Sequence, residues 1–388
     1  MMVGRLFRRI PGHLFYFGKN NKKDWRRFRL FERNGCREFR KERLRMEAVK
    51  TIYDIAKEAG VSASTVSRVV NNKPGVNENT RKKVQQLLEK YNYIPNEAAR
   101  GLVTQSSRII GILIEDIRVV HHTESAYVIE QEMTRLGYTC ITLSTGPDPK
   151  KKAEYIRHLE QRRVEGAILM GSMFGTSEVE ESIHEHLSGI PIVIVNGYLN
   201  LPNVYSVIAD EERGIEECVE LLASKGRKNI AFVMDAETPS NNSKKRGFMT
   251  AMMRQGIPSE KQLLYQADWE GVSLSDPRNT ILRGAGATRR LLQENPQVDA
   301  IVYCVDLLAI GGIHEMESQG IAVPEQIAVM GVDNTIYGEI CRPQLSTLDN
   351  KLVEVSRNAS GILLNALEKK EVSKRMMLYT EIIEREST

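Results

Sequence analysis

Five side chains suited to reading DNA by hydrogen bonding follow a predicted tight turn near the start of the chain. They are Ser64, Thr65, Ser67, Arg68 and Asn71. An arginine in this setting can donate two parallel hydrogen bonds to guanine O6 and N7, and serine hydroxyls can reach bases or phosphates. Threonine and asparagine suit phosphate contacts, which orient a protein on a duplex. The pattern therefore predicts contact with the base edges of double-stranded DNA.

A second group of polar side chains lies in the C-terminal part of the chain. Asp116 follows the apolar run 109–114, and His121 and His122 come shortly after it. Side chains that follow the strands of a parallel sheet gather at its carboxyl edge, where such folds bind small molecules. Trp269, in a predicted loop, suits stacking on a sugar ring and suits a structural role equally. These residues predict a site for a polar small molecule; simple exposure in a loop is the alternative for the two histidines.

The residue patterns of common enzymes are not found in the sequence. The run Gly284-Ala-Gly286-Ala-Thr-Arg-Arg has two glycines of a dinucleotide-binding turn, but Arg289 takes the third place and no clear strand precedes it. No nucleophile-elbow sequence occurs, and the five cysteines lack metal-ligand spacing. We therefore expect no catalytic residues, no metal site and no cofactor.

Three short predicted helices position the first group of side chains. Thr51 and Asp54 form a capping-box-like start for the first helix, and Gly60 supplies the positive φ angle of a tight turn. Apolar spacing predicts a second helix over residues 63–71 and a third over residues 77–91. Two short helices joined by a glycine turn, with a third beside them, are typical of a helix-turn-helix that places its second helix in the major groove.

The next segment, residues 95–106, has the composition of a marginal helix. Pro95 disfavours helical backbone at the residue before it, Asn96 suits a helix N-cap, and Gly101 weakens the helix that follows. Because nucleation of so short a helix is costly, we expect it to be frayed in the free protein. A simple interdomain linker is the alternative.

The rest of the chain alternates apolar β-branched runs with amphipathic helices. Predicted strands cover residues 109–114, 139–143, 166–170, 192–195, 230–234, 300–303 and 327–331, with helices around residues 130–136, 152–160, 213–225 and 287–294. This alternation predicts doubly wound parallel sheets, and the number of strands predicts two lobes with a ligand cleft. Residues 378–387 predict a final strand. No leucine heptad follows it, which favours a dimer over a tetramer.

The net charge of +4 is unevenly distributed along the chain. Residues 1–47 hold 15 Lys/Arg and 5 Asp/Glu, and residues 48–105 hold 9 and 5, so the remainder is acidic. A basic front on an acidic body is typical of a nucleic-acid binder with a separate sensor domain. No run approaches the roughly 18 apolar residues of a membrane span, and no secretion signal is evident. We therefore expect a cytoplasmic, nucleoid-associated protein without a membrane partner.

The first 45 residues mix basic clusters with aromatics and show no helical or strand period. A basic arm on nucleic acid is one interpretation. The other is that translation starts at Met46, because Lys41-Glu42 can be encoded by a purine-rich ribosome-binding sequence and the helical pattern begins soon after. We expect purified native protein to begin at or near Met46.

The segment from Thr51 to Asn71, T-I-Y-D-I-A-K-E-A-G-V-S-A-S-T-V-S-R-V-V-N, resembles the N-terminal signature of the lactose repressor family. Residues 76–96 continue the likeness, which extends to the last residue. It implies an all-α helix-turn-helix domain followed by an α/β, two-lobed sensor domain like a periplasmic binding protein. It also implies that Ala63 and Ser64 help to choose the operator and that Leu102 wedges into the minor groove. The candidate DNA-binding residues are thus Thr51, Ala63, Ser64, Thr65, Ser67, Arg68, Asn71, Asn96, Arg100 and Leu102.

The same resemblance implies three further effector-binding positions. Lys244 stands where the family has an arginine and offers a point charge in place of a bidentate fork. Asp306 matches an acidic effector ligand, and Asp333 matches a residue that faces the cleft or braces the lobes. Because the family has apolar or aromatic residues where His121 and His122 lie, the sequence predicts a polar or anionic effector.

The sequence therefore predicts a homodimeric transcription regulator, a repressor in its simplest form. It would bind a palindromic double-stranded operator under the control of a small molecule, a sugar or sugar derivative. A regulator of the catabolite-control type, using a protein or phosphorylated corepressor, is the alternative; a solute-binding protein would share the two-lobed fold alone. The predicted segments are a basic extension (1–47), a helix-turn-helix domain (48–94), a hinge (95–106) and an effector-binding and dimerisation domain (107–388).

Overall fold

The structure, a computed structural model, describes the backbone of strands β1 (Arg9–Ile10) and β2 (His13–Leu14) and residues 50–93, 106–267 and 277–388. β1 and β2 pair in antiparallel fashion. Most of the basic extension and residues 95–105 of the predicted hinge lie outside the described residues. The chain divides into two compact units, residues 1–100 and 101–388.

Among its described residues, the first unit has the three helices that the sequence predicts. They are α1 (Ile52–Ala59), α2 (Ala63–Val70) and α3 (Glu78–Lys90). The predicted capping box of Thr51 and Asp54 starts α1, and Gly60, at φ 72°, ends it. Ile55, Val66 and Val84, one from each helix, are fully buried against one another. Burial of each side chain stabilises the unit by about 1.5–3 kcal/mol, which holds α2 rigidly on the other two helices.

The second unit has two lobes, and the N-terminal lobe is built on a six-stranded parallel sheet. Its strands are β3 (Ile109–Ile114), β4 (Thr139–Ser144), β5 (Gly166–Met170), β6 (Ile192–Val195), β7 (Val204–Ala209) and β13 (Arg375–Leu378), in the order β13-β7-β6-β5-β3-β4. Helices α4 (Val120–Arg135), α5 (Pro149–Gln161), α6 (Ser177–His186) and α12 (Leu352–Leu367) and the 3₁₀ turn Ser172–Phe174 cover it. Alternate residues of β3 enter different cores: Ile112 packs with α4 and α12, and Leu113 packs with α5 and α6.

The C-terminal lobe repeats this plan. Its strands are β8 (Ile230–Met234), β9 (Leu263–Gln266), β10 (Ala300–Tyr303), β11 (Ala328–Val332), β12 (Ser346–Asp349) and β14 (Glu381–Ile383), in the order β14-β12-β11-β10-β8-β9. β14 is antiparallel to β12, and the other pairs are parallel. The helices are α7 (Glu211–Ser224), α8 (Pro239–Arg254), α9 (Pro277–Glu294), α10 (Asp306–Ser318) and α11 (Ile336–Ile340), with a 3₁₀ turn at Ser259–Lys261.

The chain crosses between the lobes three times. It leaves the N-terminal sheet after β7 to form α7, returns after β12 to form α12, and leaves again between β13 and β14. The prediction of one final strand over residues 378–387 is therefore wrong: the chain changes sheets at Tyr379–Thr380 and forms separate strands on either side. Among the described residues, no helix is long and apolar enough to cross a lipid bilayer.

Candidate DNA-reading helix and ligand cleft

Helix α2 carries the side chains predicted to read DNA. Its valines face the core of the unit, and its opposite face is polar. Ser64 and Arg68 are exposed there, and Ala63, Thr65 and Ser67 are half-buried beside them. Because positions four apart share one face of a helix, the Ser64 hydroxyl and the Arg68 guanidinium are presented side by side.

Other predicted DNA-binding side chains hold the unit together. Thr51 accepts a hydrogen bond from the Asp54 N–H at 3.3 Å, and its hydroxyl lies 2.8 Å from the Asp54 carboxylate. Thr65 Oγ1 lies 2.9 Å from the hydroxyl of the serine that caps α2. Asn71 donates its amide to the carbonyl oxygen of Ser67 at 2.8 Å. These contacts fix helix ends, and phosphate contacts by the same residues stay predictions.

The loop between α2 and α3 leaves room for the Arg68 side chain. Gly75 lies at φ 90°, and a Cβ atom there would come within 3.1 Å of Arg68 Nη1. Arg81 holds the same loop by donating to Asn72 Oδ1 at 3.0 Å and to the Lys73 carbonyl at 2.8 Å. A side chain at position 75 would therefore crowd the Arg68 guanidinium.

Four predicted site residues lie outside the described part of the chain. Asn96, Arg100 and Leu102 belong to the predicted hinge, and Trp269 precedes α9. Their roles in binding DNA and effector stay predictions.

A cleft of about 490 Å³ lies between the two lobes of the second unit. It is bounded by residues that directly follow strands of both sheets, including Glu115, Asn196, Asp235, Asp333 and Asn350. This is where open parallel sheets bind ligands, and the volume is in the range typical of small-molecule sites.

A chain of polar contacts crosses the floor of the cleft. Lys244 Nζ lies 3.2 Å from Glu211 Oε1 and is almost fully buried. Asn350 donates its side-chain amide to Glu211 at 3.2 Å and to Asp333 at 2.9 Å. Burial alone would lower the pKa of Lys244, but the Glu211 and Asp333 carboxylates outweigh it and raise that pKa. Lys244 is therefore a charged partner of Glu211.

Asp333 occupies a strained position at the centre of this chain. Its φ angle is 104°, outside the usual range for a residue with a side chain. Burial raises the pKa of the Asp333 carboxyl to about 7; the charge of Lys244 and the hydrogen bond from Asn350 oppose this effect, and Glu211 adds to it. Asp333 lines the cleft and also accepts a hydrogen bond from Asn350, in the segment where the chain crosses between the lobes. It therefore fits both roles named for it in the sequence analysis, facing the cleft and bracing the lobes.

His121 and His122 lie in the first turn of α4, so the prediction that they lie in a loop is wrong. Both line the cleft. Burial lowers the pKa of each to about 4, with Lys244 adding to the effect on His121. His121 Nδ1 has no hydrogen-bond partner and lies 3.8 Å from Asp333 Oδ1. Both histidines are therefore neutral at pH 7.

Asp306, predicted as an effector ligand, also lines the cleft, but its oxygens are occupied. They accept hydrogen bonds from the Thr335 N–H at 2.7 Å, the Thr335 hydroxyl at 2.9 Å and the Thr347 hydroxyl at 2.7 Å. Burial and the charge of Asp333 raise its pKa to about 7. This geometry favours a bracing role at the start of α10.

Asp116, also predicted to bind the effector, is not among the residues that line the cleft. Its carboxylate is held by the Arg118 guanidinium, with Nη2 to Oδ2 at 2.6 Å, and this contact lowers the pKa of Asp116. Its neighbour Glu115 faces the cleft instead and pairs with buried Lys152 at 2.8 Å. Successive residues after a strand point to opposite sides, which explains the error of one position.

The cleft residues that the sequence analysis did not identify include four that take part in the polar contacts of the site: Glu211, Asp235, Asn241 and Asn350. Three of them follow the end of a strand directly or within two residues, and this position could have identified them. Glu211 and Asn350 follow β7 and β12, which were not predicted, whereas Asp235 follows the predicted strand β8 and was overlooked. Asn241 lies in the first turn of α8 and donates to Asp235 Oδ1 at 2.8 Å.

Both units match described protein families. Residues 51–96 match the bacterial regulatory proteins of the lacI family, and residues 219–388 match the periplasmic binding protein-like domain. The first match ends within the predicted hinge, and the second covers most of the C-terminal lobe together with α12 and β13.

Relatives and solved structures match over most of the chain. Catabolite control protein A of Priestia megaterium is 32% identical over 341 residues, which is 87% of this chain and 99% of that protein. The HTH-type transcriptional repressor PurR of Vibrio atlanticus is 30% identical over 338 residues, 86% of this chain and 97% of that protein. The fold is similar to that of the lac repressor dimer bound to operator and the anti-inducer ONPF, with a TM-score of 0.77 and 23% identity over 88% of this chain and 99% of that one.

Proposed function

Because this chain belongs to the lacI family of bacterial regulatory proteins, we propose that α2 reads the bases of a palindromic operator while the cleft binds the effector. The protein is a DNA-binding transcription regulator whose operator affinity is controlled by an effector. The exposed pair Ser64 and Arg68, on a helix backed by a rigid core, carries the assignment of the reading helix.

The active form is a homodimer, since a palindromic operator has two equivalent half-sites. A largely apolar groove of about 640 Å³ supports a second copy as the partner: Ile281, Leu307, Ile310, Tyr337 and Ile340 line it, together with Arg118, Arg278 and Cys341. Ile340 is 65% exposed in the single chain. Exposed apolar patches of this kind are typical of protein interfaces, and the lac repressor of similar fold is a dimer bound to operator.

Ligand binding is coupled to the operator through the crossovers between lobes. Glu211 begins the helix after the first crossover, and Asn350 lies in the second. A ligand that contacts both changes the relative closure of the lobes and thereby the positions of the two hinge segments of the dimer. The effector class that this fold supports is a sugar or sugar derivative.

A second candidate function follows from the 32% identity to catabolite control protein A. In that case a protein or phosphorylated corepressor, and not a free sugar, would promote operator binding. A reconstitution experiment distinguishes the two functions. If the purified chain alone never binds its operator with high affinity, but does so after addition of a cytosolic protein fraction, the corepressor function is correct.

The test of DNA reading is selection of genomic fragments by the purified full chain at about 50 and 200 mM salt, followed by sequencing. We expect enrichment of one short palindrome at both salt concentrations. Retention of fragments without a shared sequence, lost at the higher salt, would reduce the function to phosphate-backbone binding.

A further inference from the structure

The described residues that line the cleft carry more acidic than basic groups. The acidic ones are Glu115, Glu211, Asp235, Glu237, Asp306 and Asp333, and the basic ones are Lys152 and Lys244. Both lysines already face carboxylates, at 2.8 Å from Glu115 and 3.2 Å from Glu211. An ion pair with a partner in place offers little further attraction to an anion.

Asp333 has only neutral hydrogen-bond donors within reach. Asn350 donates to it at 2.9 Å, and the neutral His121 ring is 3.8 Å away. Asp235 and Asp306 are in the same situation, with donors from an asparagine and from threonines. Among the described residues that line the cleft, carboxyl groups therefore outnumber ammonium groups, and the charge of Lys244 acts on both Glu211 and Asp333.

The Asn350 side chain provides independent evidence about the chemistry of the ligand. It is 2% exposed, it lines the cleft, and its Oδ1 atom has no hydrogen-bond donor. The orientation of the amide is fixed, because its NH₂ group lies between the carboxylates of Glu211 and Asp333 and a flip would set three oxygens against one another. A buried acceptor of this kind calls for a donor that the described residues do not supply, from a ligand or an ordered water.

We propose that the effector carries a protonated amine, which donates to Asp333 and to Asn350 Oδ1, on a hydroxylated skeleton such as that of an amino sugar. This inference rests on the proposed function of the cleft. An ammonium group supplies three donors and one positive charge at the place where Asn350 Oδ1 lacks a donor and carboxyl groups outnumber ammonium groups. A phosphorylated or carboxylated ligand would meet Asp333 and Glu211, and both lysines among the described residues that line the cleft already face carboxylates.

The test is isothermal titration calorimetry of the full chain with a matched panel. The probes are D-glucosamine, D-galactosamine and D-mannosamine, their N-acetyl derivatives, the parent hexoses and the hexose 6-phosphates. We expect the tightest binder to be a free amine, with at least about 10-fold higher affinity than its N-acetyl derivative, corresponding to about 1.4 kcal/mol. A neutral or phosphorylated sugar as tightest binder, or no amine that binds, overturns the proposal.

Two further measurements distinguish a direct contact with the amine from a general effect of a substitution on the cleft. Asp333→Asn should abolish the preference for the amine over its N-acetyl derivative, whereas Glu260→Gln, in the exposed 3₁₀ turn Ser259–Lys261 and not among the residues that line the cleft, should keep it. Near pH 6, where the free amine is already protonated, binding to the wild-type chain should release protons, because a positive charge at Asp333 lowers the pKa of its carboxyl, which burial holds at about 7. Titrations in two buffers that differ in ionisation enthalpy report this release.

The outcome for operator binding separates this inference from the proposed function. If the chain selects a palindrome but no amine binds, the effector class is wrong and the regulator function stands. If no palindrome is selected, the regulator function itself fails, whatever the panel shows.

Discussion

Lys244 shows how far single residues are predictable from this sequence. The prediction that it lines the cleft is consistent with its position, but its buried partner Glu211 was not predicted. Lys244 belongs to a recognisable motif, whereas Glu211 becomes significant only once β7 is known to end at Ala209. Motifs therefore identify residues, and their partners follow from tertiary structure.

At α2, replacement of Arg68 tests base reading. Arg68→Ala should weaken binding to the selected operator by about 1–3 kcal/mol and relax the preference at one base pair of each half-site, since a bidentate guanine contact is lost. Lys83→Ala, on the exposed face of α3, is the control. It should weaken all sequences about equally and reduce the salt dependence, as measured by fluorescence anisotropy with the operator and single-base variants.

At Asp333, the raised pKa predicts a pH-dependent stability. In the folded chain the Asp333 carboxyl binds its proton once the pH falls below about 7, whereas in the unfolded chain it does so only below about pH 3.8. Acidification from pH 8 to pH 6 therefore favours the folded state at this group. Asp333→Asn removes the ionised form. We expect it to raise Tm at pH 8 by about 3 °C or more and to reduce the gain on acidification.

Differential scanning calorimetry at pH 8 and pH 6 measures this effect, with Glu237→Gln as the matched control. His121 and His122 act in the opposite direction, because the unfolded chain takes up their protons near pH 6.5 and the folded chain only near pH 4. The comparison between wild type and variant cancels their contribution. A lower Tm for Asp333→Asn at pH 8 would contradict the conclusion that the ionised Asp333 carboxylate destabilises the folded state at this pH.

At the scale of elements, local signals predict helices of the first unit better than strands of the second. The capping box at Thr51 and the positive φ of Gly60 determine α1 within a few residues. β12, with the sequence Ser-Thr-Leu-Asp, has little apolar character, yet its first three residues are buried because both faces of the sheet are covered. Its strand character depends on neighbours distant in sequence, so the pattern alone does not reveal it.

The packing of α8 on α7 positions Lys244 against Glu211, and one glycine makes it possible. A Cβ atom on Gly247 would lie 2.1 Å from the carbonyl oxygen of Glu212, which is backbone and cannot turn away. Gly247→Ala should therefore push the helices apart, lower Tm by about 4 °C or more and weaken effector binding.

The matched control for this substitution is Gly286→Ala in α9, where a Cβ atom would meet nothing within 4 Å. That variant should raise Tm slightly, because alanine favours helix by about 0.5–1 kcal/mol. Thermal unfolding of the two variants in parallel checks the packing of α7 and α8; equal changes in Tm would contradict it.

At the scale of the whole molecule, the two lobes were predicted and the crossovers were not. Strand–helix alternation implies doubly wound sheets, but it does not say which sheet a strand joins. The predicted run 378–387 joined the last residue of β13 to β14, because only two residues separate these strands. The crossovers determine that Glu211 and Asn350 meet in the cleft, so this part of the site needed the tertiary structure.

The homodimer is testable at the apolar groove. Ile340→Asp should convert the protein to monomers at micromolar concentration and reduce operator affinity by at least about tenfold, since a charge would be buried in the interface. Met253→Asp places the same charge on an exposed residue of α8 and should remain dimeric. Sedimentation velocity measures both; a dimeric Ile340→Asp chain would place the interface elsewhere.

The most direct test of the whole account is operator affinity of the full chain, measured by anisotropy with and without small molecules below about 1 kDa from the source bacterium. For wild type we expect a change in Kd of about 5- to 150-fold, in either direction, as is typical of allosteric coupling. Asp333→Asn should bind the operator as wild type does without extract and lose the response. An unchanged Kd for wild type, or an equal response of the variant, would contradict control of DNA binding from this cleft.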